Sequence, residues 1–125
     1  MKWTAWATLA ALAVYFWTVV NAARARVKYK VTAPSMEGPL QFQSAQRVQV
    51  NTVEQLVLFL PALWLCAYLL GDRWAALGGA VWVVGRVLYA RAYYQNPGRR
   101  APGFILTLLS SVALALGAAA GLLLR

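Results

Sequence analysis

The chain of 125 residues has no histidine, one cysteine (Cys66) and only three acidic residues, Glu37, Glu54 and Asp72. The first two shortages exclude a disulfide framework within one chain and any metal cluster built from thiolates or imidazoles. No metal ligand set is expected. Charge of either sign is also scarce, at 12% of residues against about a quarter in an ordinary soluble domain. What fills the space is apolar: 62% of the residues are hydrophobic and the mean hydropathy is +0.57. A soluble enzyme and a disordered chain are both poor fits to these values. The composition predicts an all-α membrane protein of one domain.

At roughly 20 residues per crossing, four transmembrane helices account for nearly the whole chain, with spans expected at about 3–23, 40–70, 74–95 and 102–124. The first resembles a signal peptide at Val20-Asn21-Ala22. Its long apolar run and the Arg24, Arg26, Lys28 and Lys30 that follow favour a retained span. Residues 24–39 read as a basic, turn-rich connection containing Ala33-Pro34 and Gly38-Pro39. Pro61 lies inside the second helix and is expected to kink it. Gly71-Asp72-Arg73 reads as a tight turn, Asn96-Pro97-Gly98 as a break, and Pro102 as a first-turn residue. Gly117 and Gly121, four apart, allow close helix approach.

The net charge of +9 is distributed by side. Arg24, Arg26, Lys28, Lys30, Arg99 and Arg100 fall on the first and third connections, against Lys2, Arg73 and Arg125 on the other side. The positive-inside rule then places both termini outside and the basic connections in the cytoplasm, in the inner membrane if the source is bacterial. Topology thus accounts for most of the basic residues, and no nucleic acid partner is expected.

Polar residues inside the apolar helices need a separate account. At about 100° per residue, Arg47, Asn51 and Glu54 fall within about 60° of one another on the second helix. Arg86, Tyr89 and Tyr93 form a similar stripe on the third, whereas Arg91 points elsewhere and is expected to snorkel towards headgroups. Both stripes lie near the cytoplasmic boundary. An ionisable group within a span costs at least about 2.5–3.5 kcal/mol at mid-membrane unless paired or hydrated. A simple ion pair of Glu54 with Arg86 or Arg47 would satisfy that cost. The layer is larger than one pair requires, which favours a polar ligand carrying charges of both signs. Gln49 lies about 200° from Arg47, on the opposite face. It is either a wetted helix end or a contributor to a second site in a symmetric oligomer.

The segment Phe42-Gln43-Ser44-Ala45-Gln46-Arg47-Val48-Gln49-Val50-Asn51-Thr52-Val53-Glu54-Gln55 resembles the signature of the membrane-associated proteins in eicosanoid and glutathione metabolism (MAPEG), a family that includes microsomal glutathione transferases. Gly85-Arg86-Val87-Leu88-Tyr89, Arg100-Ala101-Pro102 and the Gly38-Pro39 before the second helix are similar to the same family, over essentially the full chain. The resemblance implies a homotrimer of four-helix subunits with glutathione as co-substrate, bound between neighbouring subunits on the cytoplasmic side. By position, Arg47, Asn51, Glu54, Tyr89 and Tyr93 would bind glutathione from one subunit, with Arg86 in the same stripe, and Arg26 and Gln49 would reach it from the neighbour. Arg100 matches the arginine that stabilises the thiolate, with Arg99 as its rival. Gln55 replaces an aromatic residue found in some members. The implied activity is glutathione transfer to a hydrophobic electrophile arriving from membrane lipid, or reduction of a lipid hydroperoxide. Two other readings stand beside it: a non-catalytic lipid-binding scaffold of the same fold, and a proton-coupled exporter using Glu54. The arginines around Glu54 argue against cationic cargo. Cys66, on the outer half of the second helix, reads as a small buried apolar residue.

Overall fold

A computed structural model describes residues 1–125 and contains four α-helices and no strand: α1 Lys2–Tyr29, α2 Leu40–Leu69, α3 Asp72–Gln95 and α4 Ala101–Leu123. A single 3-10 turn, Pro97–Arg99, joins the last two. Three segments are long and apolar enough to cross a membrane: Lys2–Tyr29, Leu40–Leu69 and Pro97–Leu123. The α3 helix falls short by composition because Arg73, Arg86, Arg91 and three glycines dilute it. Its outward surface nonetheless carries Trp74, Leu77, Val81, Val84 and Leu88, all exposed at helical three-and-four spacing. That stripe ends on the exposed Arg91, at the end of α3 where a snorkelling arginine is expected.

The first connection differs from expectation. Instead of ending near Ala23, α1 continues through Arg24, Arg26 and Lys28 to Tyr29. The reason is local: Arg, Lys and Ala are strong helix formers, and cations in a last turn favour the helix dipole. The stop is made by Lys30, whose left-handed backbone (φ 56°, ψ 43°) lets Val31 N–H donate to the Arg26 carbonyl at 3.0 Å. This is a Schellman-type ending without glycine. By contrast α2 begins where expected, after Pro39, and runs without a break through Pro61. The turn after α2 needs Gly71, whose φ of 150° side-chain-bearing residues rarely adopt.

The core forms away from the polar layer. Leu56, Phe59, Leu63 and Cys66 of α2 pack with Trp82 of α3, Leu114 and Ala118 of α4, and Ala11 of α1. Phe59 and Trp82 stack with ring centroids 4.3 Å apart. Cys66 is buried there, as its reading as an apolar residue required. Glycines bring the backbones together: a Cβ on Gly117 would lie 3.3 Å from Cys66 Sγ, and one on Gly121 would collide with the Leu69 carbonyl. Only 32 of 125 residues are buried, and large apolar side chains such as Phe16, Val57, Leu109 and Leu116 face outward. In water such a surface would aggregate; in hydrocarbon, or against other copies, it is the expected exterior.

Polar ties fix the helix ends. At one end the Asp72 carboxylate reaches the unpaired first turn of α1, accepting from Trp3 N–H (3.1 Å), Thr4 N–H (2.8 Å) and the Thr4 hydroxyl (2.6 Å). It thus caps a helix whose own N-cap, Met1, supplies no side-chain bond. The Thr4 hydroxyl bond holds the Asp72 carboxyl below the usual carboxylate range. At the other end Gln46 Nε2 donates to the Ala22 carbonyl (2.9 Å) and Asn21 Nδ2 to Tyr94 Oη (3.2 Å). These two bonds tie α1 to α2 and α3 around the polar layer.

Candidate functional site

A cavity of about 680 Å³ opens between α2 and α3 at the end marked by the basic connections. Its α2 wall is Gln43, Arg47, Val50, Asn51 and Glu54, a run at helical spacing along one face. Tyr89 and Tyr93 of α3, Arg100 of the turn before α4 and Met36 of the first connection complete the lining. The size falls within the range that encloses a small ligand. One anionic and two cationic side chains line it, together with two phenols and two amides. That is a donor and acceptor set for a ligand carrying both charges.

Each wall has a physical reason. The α4 helix approaches α3 so closely at Gly103 that a Cβ there would sit 2.6 Å from Tyr89 Cα. This contact, with Val48 and Ala90 beside it, fixes the Tyr89 backbone. Tyr89 and Tyr93 meet edge to face at 5.6 Å, a favoured aromatic geometry. Arg100 is held by the 3-10 turn: Asn96 Oδ1 accepts from Gly98 N–H at 2.9 Å, and Arg100 donates from its guanidinium to the Pro97 carbonyl at 2.8 Å. Its guanidinium lies 5.9 Å from the Tyr93 ring centroid. Overpacking at the α3–α4 contact tests this scaffold. Gly103→Val is expected to destabilise the bundle by about 1–3 kcal/mol, read as a lower thermal midpoint in detergent; an unchanged midpoint would mean that the close approach is not needed.

The structure gathers most of the residues expected from sequence, and sets four apart. Arg47, Asn51, Glu54, Tyr89, Tyr93 and Arg100 line one cavity. Arg99 does not line it, so of the two adjacent arginines only Arg100 is placed to act there. Arg86 is fully buried behind the wall, with its guanidinium 4.0 Å from the Tyr89 ring centroid. Gln49 faces the other way and donates to Tyr15 Oη at 3.2 Å. Arg26 donates to the Ser35 carbonyl at 2.8 Å and lies 5.4 Å from the Phe42 ring centroid. Gln43 and Met36 were not anticipated. Gln43 precedes Arg47 by four residues and could have been found by that spacing; nothing periodic marks Met36.

Comparison with known proteins gives this geometry a family. The pattern of the MAPEG family matches residues 4–120, and the chain belongs to that family. Among relatives, an uncharacterized protein of Synechocystis sp. is 47% identical over 118 residues, covering 94% of this chain and 86% of its own length. Microsomal glutathione S-transferase 2 of Homo sapiens is 36% identical over 85 residues, covering 68% of this chain and 58% of that protein. Leukotriene C4 synthase of Bos taurus is 34% identical over 82 residues, covering 66% of this chain and 53% of that protein. The matches to the two named enzymes thus span little more than half of their length.

Proposed function

We propose that the protein is a membrane-bound glutathione transferase that works as a homotrimer of four-span subunits. The observation that carries this reading is the convergence of Arg47, Asn51, Glu54, Tyr89, Tyr93 and Arg100 on one open cavity, in a chain whose relatives include a glutathione S-transferase. Glutathione offers two carboxylates, one ammonium and a thiol. Arg47 suits a carboxylate, because guanidinium and carboxylate pair in a fork. Glu54 suits the ammonium, and the phenols and amides suit the peptide groups. Both Arg47 and Glu54 are exposed in the single chain, which is costly at membrane depth. A second copy would cover them and bring its own Arg26 and Gln49, the two residues that do not face this cavity. On this reading the site faces the cytoplasm with both termini outside, a reading supported by the Lys and Arg bias of the connections.

Arg100 is assigned to the thiol. A free thiol has a pKa near 8.5, and the thiolate is the reacting form. A guanidinium beside the sulfur favours the anion. Lowering the pKa by two units takes about 2.7 kcal/mol, a reasonable amount for one charge in a partly dry site. The thiolate then attacks an electrophilic carbon on a hydrophobic substrate that enters from lipid, and the leaving group departs with the bonding pair. With a lipid hydroperoxide the thiolate attacks the terminal oxygen, the O–O bond breaks and the alcohol leaves; a second glutathione then attacks the sulfur of the resulting sulfenic acid, giving glutathione disulfide and water.

Purified protein is expected to join glutathione to a chloronitroaromatic electrophile with release of chloride. Absence of conjugation, of peroxide reduction and of calorimetric glutathione binding would leave a non-catalytic lipid-binding role for the same fold.

A further inference from the structure

Arg86 is the least explained charge in the molecule. It is 0% exposed, and its Nε and one terminal nitrogen have no hydrogen-bond partner. The other terminal nitrogen reaches the Asn51 main-chain carbonyl at a long 3.5 Å. In a helix that carbonyl accepts from the N–H of residue 55, so the guanidinium lies against the Asn51–Gln55 turn of α2. Two acceptors on that turn, Asn51 Oδ1 and Gln55 Oε1, are also buried without a donor. Guanidinium stays protonated at neutral pH. Replacing such a group by an apolar side chain of similar volume is often neutral or stabilising, so packing alone does not account for it.

Its position relative to the cavity does. Asn51 and Tyr89 both line the cavity, and Arg86 touches the rear of both. The Tyr89 ring lies over the guanidinium at 4.0 Å, well inside cation–π range, and the Trp82 ring flanks it at 5.9 Å. The charge is screened from water by its burial and is offset by no hydrogen-bonded carboxylate, so its field acts on whatever the wall holds.

We propose that Arg86 is a positioning residue that clamps the Tyr89 ring from behind and gives the cavity wall a fixed positive charge, which favours the anionic form of a bound peptide thiol. The inference rests on the glutathione-binding reading above. The other charged and titratable groups on the cavity are Arg47 and Glu54 from α2, Tyr89 and Tyr93 from α3, and Arg100 from the following turn. The adjoining α4 carries no ionisable side chain, and Tyr15 of α1 is engaged with Gln49. Among these, Arg86 alone is fully buried and cannot be neutralised by a solvent counterion.

The test uses the full-length protein in detergent, with glutathione as probe and ultraviolet thiolate absorbance followed against pH. Arg86→Met is expected to raise the midpoint of thiol ionisation by about one pH unit and to raise KM about tenfold. Arg86→Lys keeps a cation but not the planar stack; it is expected to raise KM while moving the midpoint less than Arg86→Met does. If Arg86→Met does not fold, Arg86→Lys still decides, because a lysine variant with unchanged KM and midpoint overturns the proposal. A folded Arg86→Met protein with both values unchanged overturns it equally. Failure of the unaltered protein to bind glutathione overturns the functional reading, and this inference falls with it; binding without an Arg86 effect overturns this inference alone.

Discussion

Arg100→Ala is expected to raise the pH midpoint for ionisation of bound glutathione by about two units, from near 6.5 to near the free value of about 8.5, where the remaining Arg86 charge offsets the rise that desolvation of the thiol alone would cause. The sign follows from charge. In its proposed role Arg100 favours the anion, so its removal makes the proton harder to lose and shifts the profile to higher pH. At pH 7 the ionised fraction would fall from roughly three-quarters to about 3%. The rate falls by less. A thiolate of higher pKa is intrinsically more nucleophilic, with a Brønsted slope of about 0.4–0.5, which returns roughly eightfold over two units. Loss of turnover at pH 7 should therefore lie between about threefold and 25-fold, and should shrink as the pH is raised. Affinity for glutathione is expected to fall only about fourfold at pH 7, the linkage factor for this shift of the bound thiol's midpoint, because the proposed role of Arg100 is on the sulfur and not on the carboxylates. Rate-against-pH profiles of the two proteins check this, and an unshifted profile would remove Arg100 from the mechanism.

Arg47→Ala is expected to weaken glutathione binding by about 10- to 100-fold. Hydrogen bonds to a charged partner contribute roughly 1.5–3 kcal/mol. The lower part of that range applies if Arg47 stays as exposed as it is in the single chain, and the upper part if a second copy buries it. The magnitude is thus itself informative about assembly. Here the effect falls on affinity, and the thiol midpoint stays in place, which is the reverse of the Arg100 pattern. Titration calorimetry of both proteins measures it; equal affinities would exclude a carboxylate contact at Arg47.

Much of the architecture could be read from punctuation in the chain. Pro39, Gly71 and Asn96-Pro97-Gly98 mark helix boundaries that local sterics and missing N–H groups enforce, so α2, α3 and α4 lie where the sequence puts them. The end of α1 could not be read, because its stop is a left-handed lysine after a run of good helix formers. Mean hydropathy understates α3, whose outward stripe carries the apolar signal while its arginines and glycines lower the average. Face arithmetic found the α2 wall, since 3.6-residue periodicity decides which side chains share a face. It could not separate Arg86 from Tyr89 and Tyr93. Angle around a helix says nothing of depth along it, and Arg86 lies where the Asn51 turn of α2 closes over it. Met36 enters the cavity from an irregular connection and carries no periodic signal at all.

On the proposed function, two copies of this chain complete one glutathione site at the cytoplasmic ends of α2 and α3. A cryo-electron microscopy structure of the assembled protein with glutathione would decide this. Tripeptide density is expected against Arg47, Glu54, Tyr89 and Tyr93 of one copy and Arg26 and Gln49 of the next, with the sulfur beside Arg100. Glu54 paired to an arginine within a closed single bundle, with no density between copies, would contradict it.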